Sequence, residues 1–290
     1  MLSAAFYRSI TLSSLLCTSR ALSTAGSGKK RILVLGGSGF LGGEFSKRAI
    51  ASNYDVTSLS RRGKPSEGAI DGVNYLTGDA TQEGVISSVA NEGDYDAIVH
   101  CIGLLFDADS GLADYNRFVS GSGSIIKEGA TYDDITRKTG IYAVEAAEEL
   151  ARARSSNEPT SLIFTSAAEV GWQEDDMQPG GKLLEEFLAP GWLKRYLKAK
   201  RAVEARLVEG EQAGLVRRIV FRPSLIYSYD RLGSLPPVGA FILGNKVGLP
   251  FVDRPVTVQS LANAMVATLG KDISVSGIQR FKDVDRLASL

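Results

Sequence analysis

The stretch "RILVLGGSGFLGG" (31–43) constrains this chain more than any other. Arg31 to Leu35 is dominated by Ile, Leu and Val, the composition of a strand buried on both faces. Gly36, Gly39 and Gly42 then fall in the turn that leads into a helical pattern. Each glycine answers a separate need: a tight turn, close approach of backbone to a pyrophosphate, and close packing of helix on strand. An anion held there meets free N–H groups and the positive end of the helix dipole. The expected phosphate loop therefore comprises Gly36, Gly39, Phe40, Leu41 and Gly42.

Further short apolar runs follow at 54–60, 73–78, 96–103, 161–167 and 217–224, alternating with helical patterns at 81–91, 133–154, 192–210 and 258–269. Strand–helix alternation implies parallel pairing through right-handed crossovers, hence an α/β doubly wound parallel sheet. Residues 29–290 read as one dinucleotide-binding domain, with 223–290 contributing a small C-terminal substrate lobe. The Gly- and Ser-rich segment 104–132 fits neither pattern, and loops of that length serve as lids or are disordered.

The second strand ends in "SLSRRGK", with Arg61 and Arg62 where binders of the unphosphorylated dinucleotide place an acid on the ribose. Two guanidiniums suit a 2′-phosphate, so NADP(H) is favoured over NAD(H). Asp79, after the third strand, is expected near the adenine, and Gly103 where backbone passes close to the cofactor.

Composition removes whole classes of activity. The chain has 290 residues and a net charge of zero, so it lacks the basic field of a nucleic-acid binder. Its single histidine, His100, leaves neither a multi-histidine metal site nor a Ser-His-Asp triad, unless His100 itself is the base. Cys17 and Cys101 offer no disulfide framework. The charge is unevenly placed: Arg8, Arg20, Lys29, Lys30 and Arg31 precede the first carboxylate, Glu44. The acid-free, Ser/Thr-rich start predicts an organellar presequence over 1–28, of mitochondrial type, with a plastid as the second destination. No apolar run reaches the length of a membrane span, so at most peripheral membrane contact is expected.

"YLKAK" (196–200) places Tyr196 and Lys200 one helical turn apart, so a phenol and an ammonium can meet. Together with "GGSGFLG", "HCIG", "FTSAAEVG" and "FRPSLIY", in that order, the chain resembles the extended or atypical branch of the short-chain dehydrogenase/reductase superfamily. The resemblance implies that Ser166 orients the substrate oxygen and that Tyr196 passes the proton. Lys200 would lower the tyrosine pKa and hold the nicotinamide ribose. It also implies that Arg222, Pro223 and Ser224 lie along the nicotinamide. Thr136 stands where many extended members carry an Asn.

Within that superfamily the chain is similar to two mitochondrial relatives, the nucleotide-binding accessory subunit of complex I and the dehydrogenase-like protein of the fungal coenzyme Q biosynthetic complex. Two functions follow as expectations. One is an NADPH-dependent oxidoreductase of the matrix, or of the matrix face of the inner membrane, acting on a small apolar or quinone-type substrate in coenzyme Q (ubiquinone) biosynthesis. The other is a non-catalytic, nucleotide-bound scaffold with protein partners in a mitochondrial complex. For the first, "SLPPVGAFILGNKVGLPF" (234–251) is a candidate wall of the site.

Overall fold

A computed structural model describes residues 28–65, 67–116, 129–154, 158–174, 180–230, 235–247, 252–270 and 275–290. Nearly all of the expected presequence, and 117–128 of the 104–132 segment, lie outside the described residues. The first half of the chain supplies β1 (Arg31–Leu35), α1 (Phe40–Ala51), β2 (Asp55–Ser60), β3 (Val73–Thr77), α2 (Val85–Gly93) and β4 (Ala97–His100). After the insertion come α3 (Thr139–Ala153), β5 (Thr160–Thr165), α4 (Gly181–Leu188), α5 (Gly191–Gln212) and β6 (Val216–Phe221). The remainder holds β7 (Ile226–Tyr227), α6 (Leu235–Lys246), β8 (Val256–Thr257), α7 (Val258–Ala267), β9 (Gly277–Gln279) and α8 (Phe281–Ala288).

Seven strands form one sheet in the order β3-β2-β1-β4-β5-β6-β9, every neighbouring pair parallel. β1 is central, with Leu35 level with Leu59 of β2 on one side and His100 of β4 on the other. From β1 the chain first builds outward to β3 and then returns to build the other way, so crossovers diverge at the β1–β4 boundary. Such a switch point leaves a crevice beyond the carboxyl ends of the strands.

Alternate residues of β1 feed opposite cores, which is why the strand is apolar throughout. Ile32 and Val34 pack with Phe45 of α1, Leu261 and Met265 of α7 and Leu287 of α8. Leu33 and Leu35 pack with Ile86 of α2, Val144 of α3 and Val203 and Leu207 of α5. The expected C-terminal lobe divides. β7 and β8 pair separately, whereas β9 extends the main sheet and α7 covers one of its faces.

A π-helical run, Asp133–Lys138, leads into α3 and buries Thr136 completely, its Oγ1 without a hydrogen-bond partner. One such turn within a helix often marks a functional site.

Candidate functional site

The crevice is a cleft of 560 Å³ whose lining crosses the switch point from β2 and β3 to β5 and β6. Its first wall is the glycine turn. Gly36 sits at φ +83°, and a Cβ there would come within 3.1 Å of Ile102 Cγ1. A Cβ on Gly42 would overlap the Gly36 carbonyl oxygen. Gly37, not singled out by the sequence pattern, is equally constrained, because its Cβ would stand 2.5 Å from Ser58 Oγ. α1 then starts after Gly39 with no side-chain cap on its first turn, and Gly39, Phe40 and Leu41 line the cleft.

Arg61, Arg62 and Asp79 line the same end, where Asp79 accepts from the backbone and hydroxyl of Thr81 at 3.0 and 2.7 Å. Gly103 lines the middle. A Cβ on it would lie 3.9 Å from Lys200 Nζ, an ordinary contact, so no described protein atom requires glycine there. At the far end stand Thr165, Ser166, Tyr196, Lys200, Pro223 and Ser224. Every candidate site residue except Gly42, which packs beneath the turn, and Arg222 therefore lines one cleft.

Their local arrangement departs from the expected one in three ways. Lys200 is 3% exposed, while Lys198 faces solvent on the same helix. Lys200 Nζ does not reach the Tyr196 hydroxyl. It donates to the Thr165 carbonyl at 2.6 Å and sits over the Phe164 and Tyr196 rings, 4.9 and 5.6 Å from their centroids. Burial lowers the Lys200 pKa to about 8. The Tyr196 phenol is accordingly not acidified. Burial, then the Glu169 carboxylate and Tyr132, hold it above its ordinary value.

Second, the Ser166 hydroxyl donates to Glu204, not into the cleft. Third, the Arg222 guanidinium turns away from the nicotinamide side and into the same cluster. It bonds Glu204 through Nε at 3.1 Å and Nη2 at 2.5 Å, and Glu174 through Nη1 at 2.9 Å and Nη2 at 2.5 Å. Burial opposes the Arg222 charge, but the two carboxylates outweigh it and raise the pKa above the ordinary value. Glu204 was missed by sequence reasoning, although its spacing of four from Lys200 puts it on the same face of α5.

His100 is buried and Nε2 lies 2.8 Å from Thr139 Oγ1, which donates to the Ile135 carbonyl. The ring nitrogen is thus the donor. Burial, reinforced by Lys200, lowers the His100 pKa to about 3, so it is neutral and no general base at ordinary pH. Cys101 lines the cleft with its thiol pushed up to about 12 by burial, hence protonated.

The first part of the long insertion is docked rather than loose. Asn116 accepts from the Leu105 and Phe106 amides, both at 3.0 Å, and donates to the Phe106 and Ala113 carbonyls at 2.6 and 2.9 Å. Arg195 bonds buried Asp107 at 3.0 Å, Tyr132 donates to the Leu105 carbonyl at 2.7 Å, and Phe106 meets Trp192 edge-on at 4.9 Å. Leu104, Leu105 and Asn116 thereby form part of the wall, beside Ile135, Leu225 and Ile226. Within the apolar 234–251 stretch, Val238, Gly239 and 241–247 do not line the cleft.

The sequence model of the NAD dependent epimerase/dehydratase family matches residues 32–237. An uncharacterised chloroplastic protein of Arabidopsis thaliana is 42% identical over 52 residues, and the chain spans 18% of that relative's length. Among solved structures, a short-chain dehydrogenase/reductase family oxidoreductase from Burkholderia thailandensis superposes with a TM-score of 0.58 at 15% identity, over 88% of this chain and 91% of that one. UDP-glucose 4-epimerase of Thermus thermophilus, complexed with NAD, gives 0.56 at 19% identity, over 89% and 82%. Aldohexose dehydrogenase of Thermoplasma acidophilum gives 0.55 at 15% identity, over 87% and 92%. At these identities the likeness to solved structures is one of fold.

Proposed function

Because the chain belongs to the NAD-dependent epimerase/dehydratase family, we propose that its cleft holds a nicotinamide dinucleotide, NADPH in preference to NADH, and reduces a small apolar carbonyl or quinoid substrate. The observation that carries this is one continuous lining, from the glycine turn and Arg61–Arg62 at one end to Lys200 and Tyr196 at the other. The residues fit the group: the glycines keep side chains out of the turn, and the uncapped first turn of α1 offers N–H groups to a pyrophosphate. When bound, the cofactor supplies the hydride. Lys200 holds the ribose, and Tyr196, kept protonated by its raised pKa, gives its proton to the substrate oxygen.

The far wall supports the substrate class. Leu104, Leu105, Ile135, Leu225 and Ile226 are apolar, and among the described lining residues Lys200 is the one cation at that end. A nucleotide sugar would bring a diphosphate there without a second cation to meet it. A quinone-type substrate, as in coenzyme Q biosynthesis, brings no charge. The acid-free start of the sequence supports the mitochondrial matrix as location, and the chloroplastic relative supports a plastid as the second destination. A second functional reading is a nucleotide-bound scaffold within a mitochondrial complex. It is favoured by Lys200 bonding Thr165 rather than the phenol, and by Ser166 bonding Glu204.

Titration of the full chain with each cofactor, alongside nicotinamide absorbance in the presence of a short-chain benzoquinone, tests these statements. NADPH is expected to bind several-fold more tightly than NADH, and Arg61→Asp to narrow or invert the ratio, since a charge-assisted bond of about 1.5–3 kcal/mol becomes a repulsion. Equal affinities remove the NADPH preference. Tight binding without consumption removes the oxidoreductase and leaves the scaffold. Residues 1–30 fused to a reporter should direct it to mitochondria, and Arg8→Glu with Arg20→Glu should abolish import; import into plastids alone would decide for the second destination.

A further inference from the structure

Two adjacent hydroxyls, Thr165 at the end of β5 and Ser166 just after it, stand at the reactive end of the cleft, and their surroundings are opposite. Ser166 is 3% exposed, and its only proton goes to a carboxylate oxygen of Glu204. That carboxylate is fixed in turn by Arg222, itself 2% exposed and bonded on its other side to Glu174. Glu204 forms an ion pair with this guanidinium, so the bond from Ser166 goes to a salt-bridged carboxylate and is of the stronger kind. To turn toward a ligand, Ser166 would have to leave a buried carboxylate for a neutral oxygen.

Thr165 has no such commitment. Thr165 lines the cleft, and its buried Oγ1 is bonded to no nitrogen or oxygen among the described residues. Within the protein that hydroxyl faces only the neighbouring Cys101 sulfur, a weak acceptor that a ligand oxygen readily displaces. Thr165 is also held firmly, because its carbonyl accepts from Lys200 at 2.6 Å while the strand beneath it pairs with β6. Ser224, also in the lining, has a second buried hydroxyl without a partner among the described residues. Buried polar groups left unpaired in this way call for a partner that the protein does not itself provide.

We propose that Thr165, rather than Ser166, is the residue that donates a hydrogen bond to the substrate oxygen opposite Tyr196, with Ser166 withdrawn from the cleft by Glu204. This rests on the reading that a carbonyl or quinoid oxygen stands against Tyr196. The ligand oxygen then sees two donors, the Thr165 hydroxyl and the Tyr196 phenol, which is the requirement for stabilising negative charge as it develops there.

The test compares Thr165→Val, Thr165→Ser and Ser166→Ala in the full chain, with NADPH and 2,3-dimethoxy-5-methyl-1,4-benzoquinone. Thr165→Val removes a hydroxyl at nearly constant shape. It is expected to lower kcat about a hundredfold while NADPH affinity changes less than about threefold, the size of effect typical of one oxyanion donor. Thr165→Ser should restore kcat to within about fivefold of the parent, because the proton donor is back. Ser166→Ala should cost kcat at least tenfold less than Thr165→Val, and lower the melting temperature by releasing Glu204. A larger kcat loss for Ser166→Ala than for Thr165→Val overturns the assignment. If the parent chain consumes no NADPH with any quinone or carbonyl probe, the oxidoreductase reading fails separately. The hydroxyls are then read from a crystal structure of the NADPH-incubated chain. Thr165 donating into the cleft with Ser166 on Glu204 upholds the assignment; Ser166 turned into the cleft overturns it.

Discussion

Lys200 and Lys198 lie two positions apart on α5 and meet opposite solvents. Their difference has a measurable consequence in pH. The buried Lys200 amine titrates near 8, against 10.5 for the ordinary group. Between these values the unfolded chain holds a proton that the folded chain has lost, so stability contributed by this group rises with pH across that window. Each unit of depression corresponds to about 1.4 kcal/mol. Urea unfolding from pH 7 to 10 should therefore show the parent gaining on Lys200→Met as pH rises, with Lys198→Met tracking the parent. Taking the difference between proteins removes Tyr196 and other groups that titrate nearby. A pH-independent difference would mean that the amine is not desolvated. At this scale the sequence was legible in part. The spacing of Tyr196 and Lys200 announces a shared face, because helical neighbours are local. That Ser166 is engaged and Thr165 is not depends on Glu204, 38 residues away, and no local pattern carries it.

Elements with two buried faces were easy to read. β1 and β4 carry unbroken apolar runs and β5 and β6 shorter ones, and the helices between them follow from the crossovers that parallel strands require. β9 was missed for a physical reason: Gly277–Gln279 is three residues long and pairs with β6 alone, so it needs no apolar run. α4 was missed too, since its Leu183, Phe187 and Leu188 are exposed and give no core-facing period that ties to the sheet. The length and Gly/Ser content of segment 104–132 left a lid and disorder as equal expectations. Its described part is instead pinned from within by Asn116 and Tyr132, and tied to α5 by Asp107 with Arg195 and Phe106 with Trp192. Asn116 is the chief pin, and Asn116→Ala deletes its bonds to the Leu105 and Phe106 amides. Exchange of those two amides should quicken at least about tenfold, equivalent to about 1.4 kcal/mol of local opening, with the amides of β1 and β4 unaffected. Unchanged protection at 105 and 106 would show that Tyr132 and Arg195 hold the segment unaided.

For the whole molecule, the cleft couples ligand to stability because its lining is contributed by β1, β2, β4, β5, β6 and the turns after them. A ligand bound to the folded chain alone at a hundred times its Kd adds about 2.7 kcal/mol, or roughly 4–5 °C in Tm for a protein of this size. Saturating NADPH should produce a shift of that order, NADH a smaller one at equal concentration, and Gly42→Ala neither, since its Cβ would overlap Gly36 and distort the turn. An equal NADPH shift in Gly42→Ala would show that the nucleotide bypasses the glycine turn.

The face of the sheet formed by α1, α7 and α8 has one more consequence. Leu41, Phe45 and Ala49 of α1 find their cover in Leu261, Met265 and Val284, and Arg48 reaches Asn263 at 2.5 Å. On a ribosome, therefore, the helix that carries the phosphate turn emerges more than two hundred residues before its packing partners. Until residues past 258 have left the exit tunnel, that helix can settle on β1 and β2 but lacks the cover of α7 and α8, and a chain stalled short of them would present its uncovered apolar side to chaperones. The nucleotide turn is thus written first and completed last.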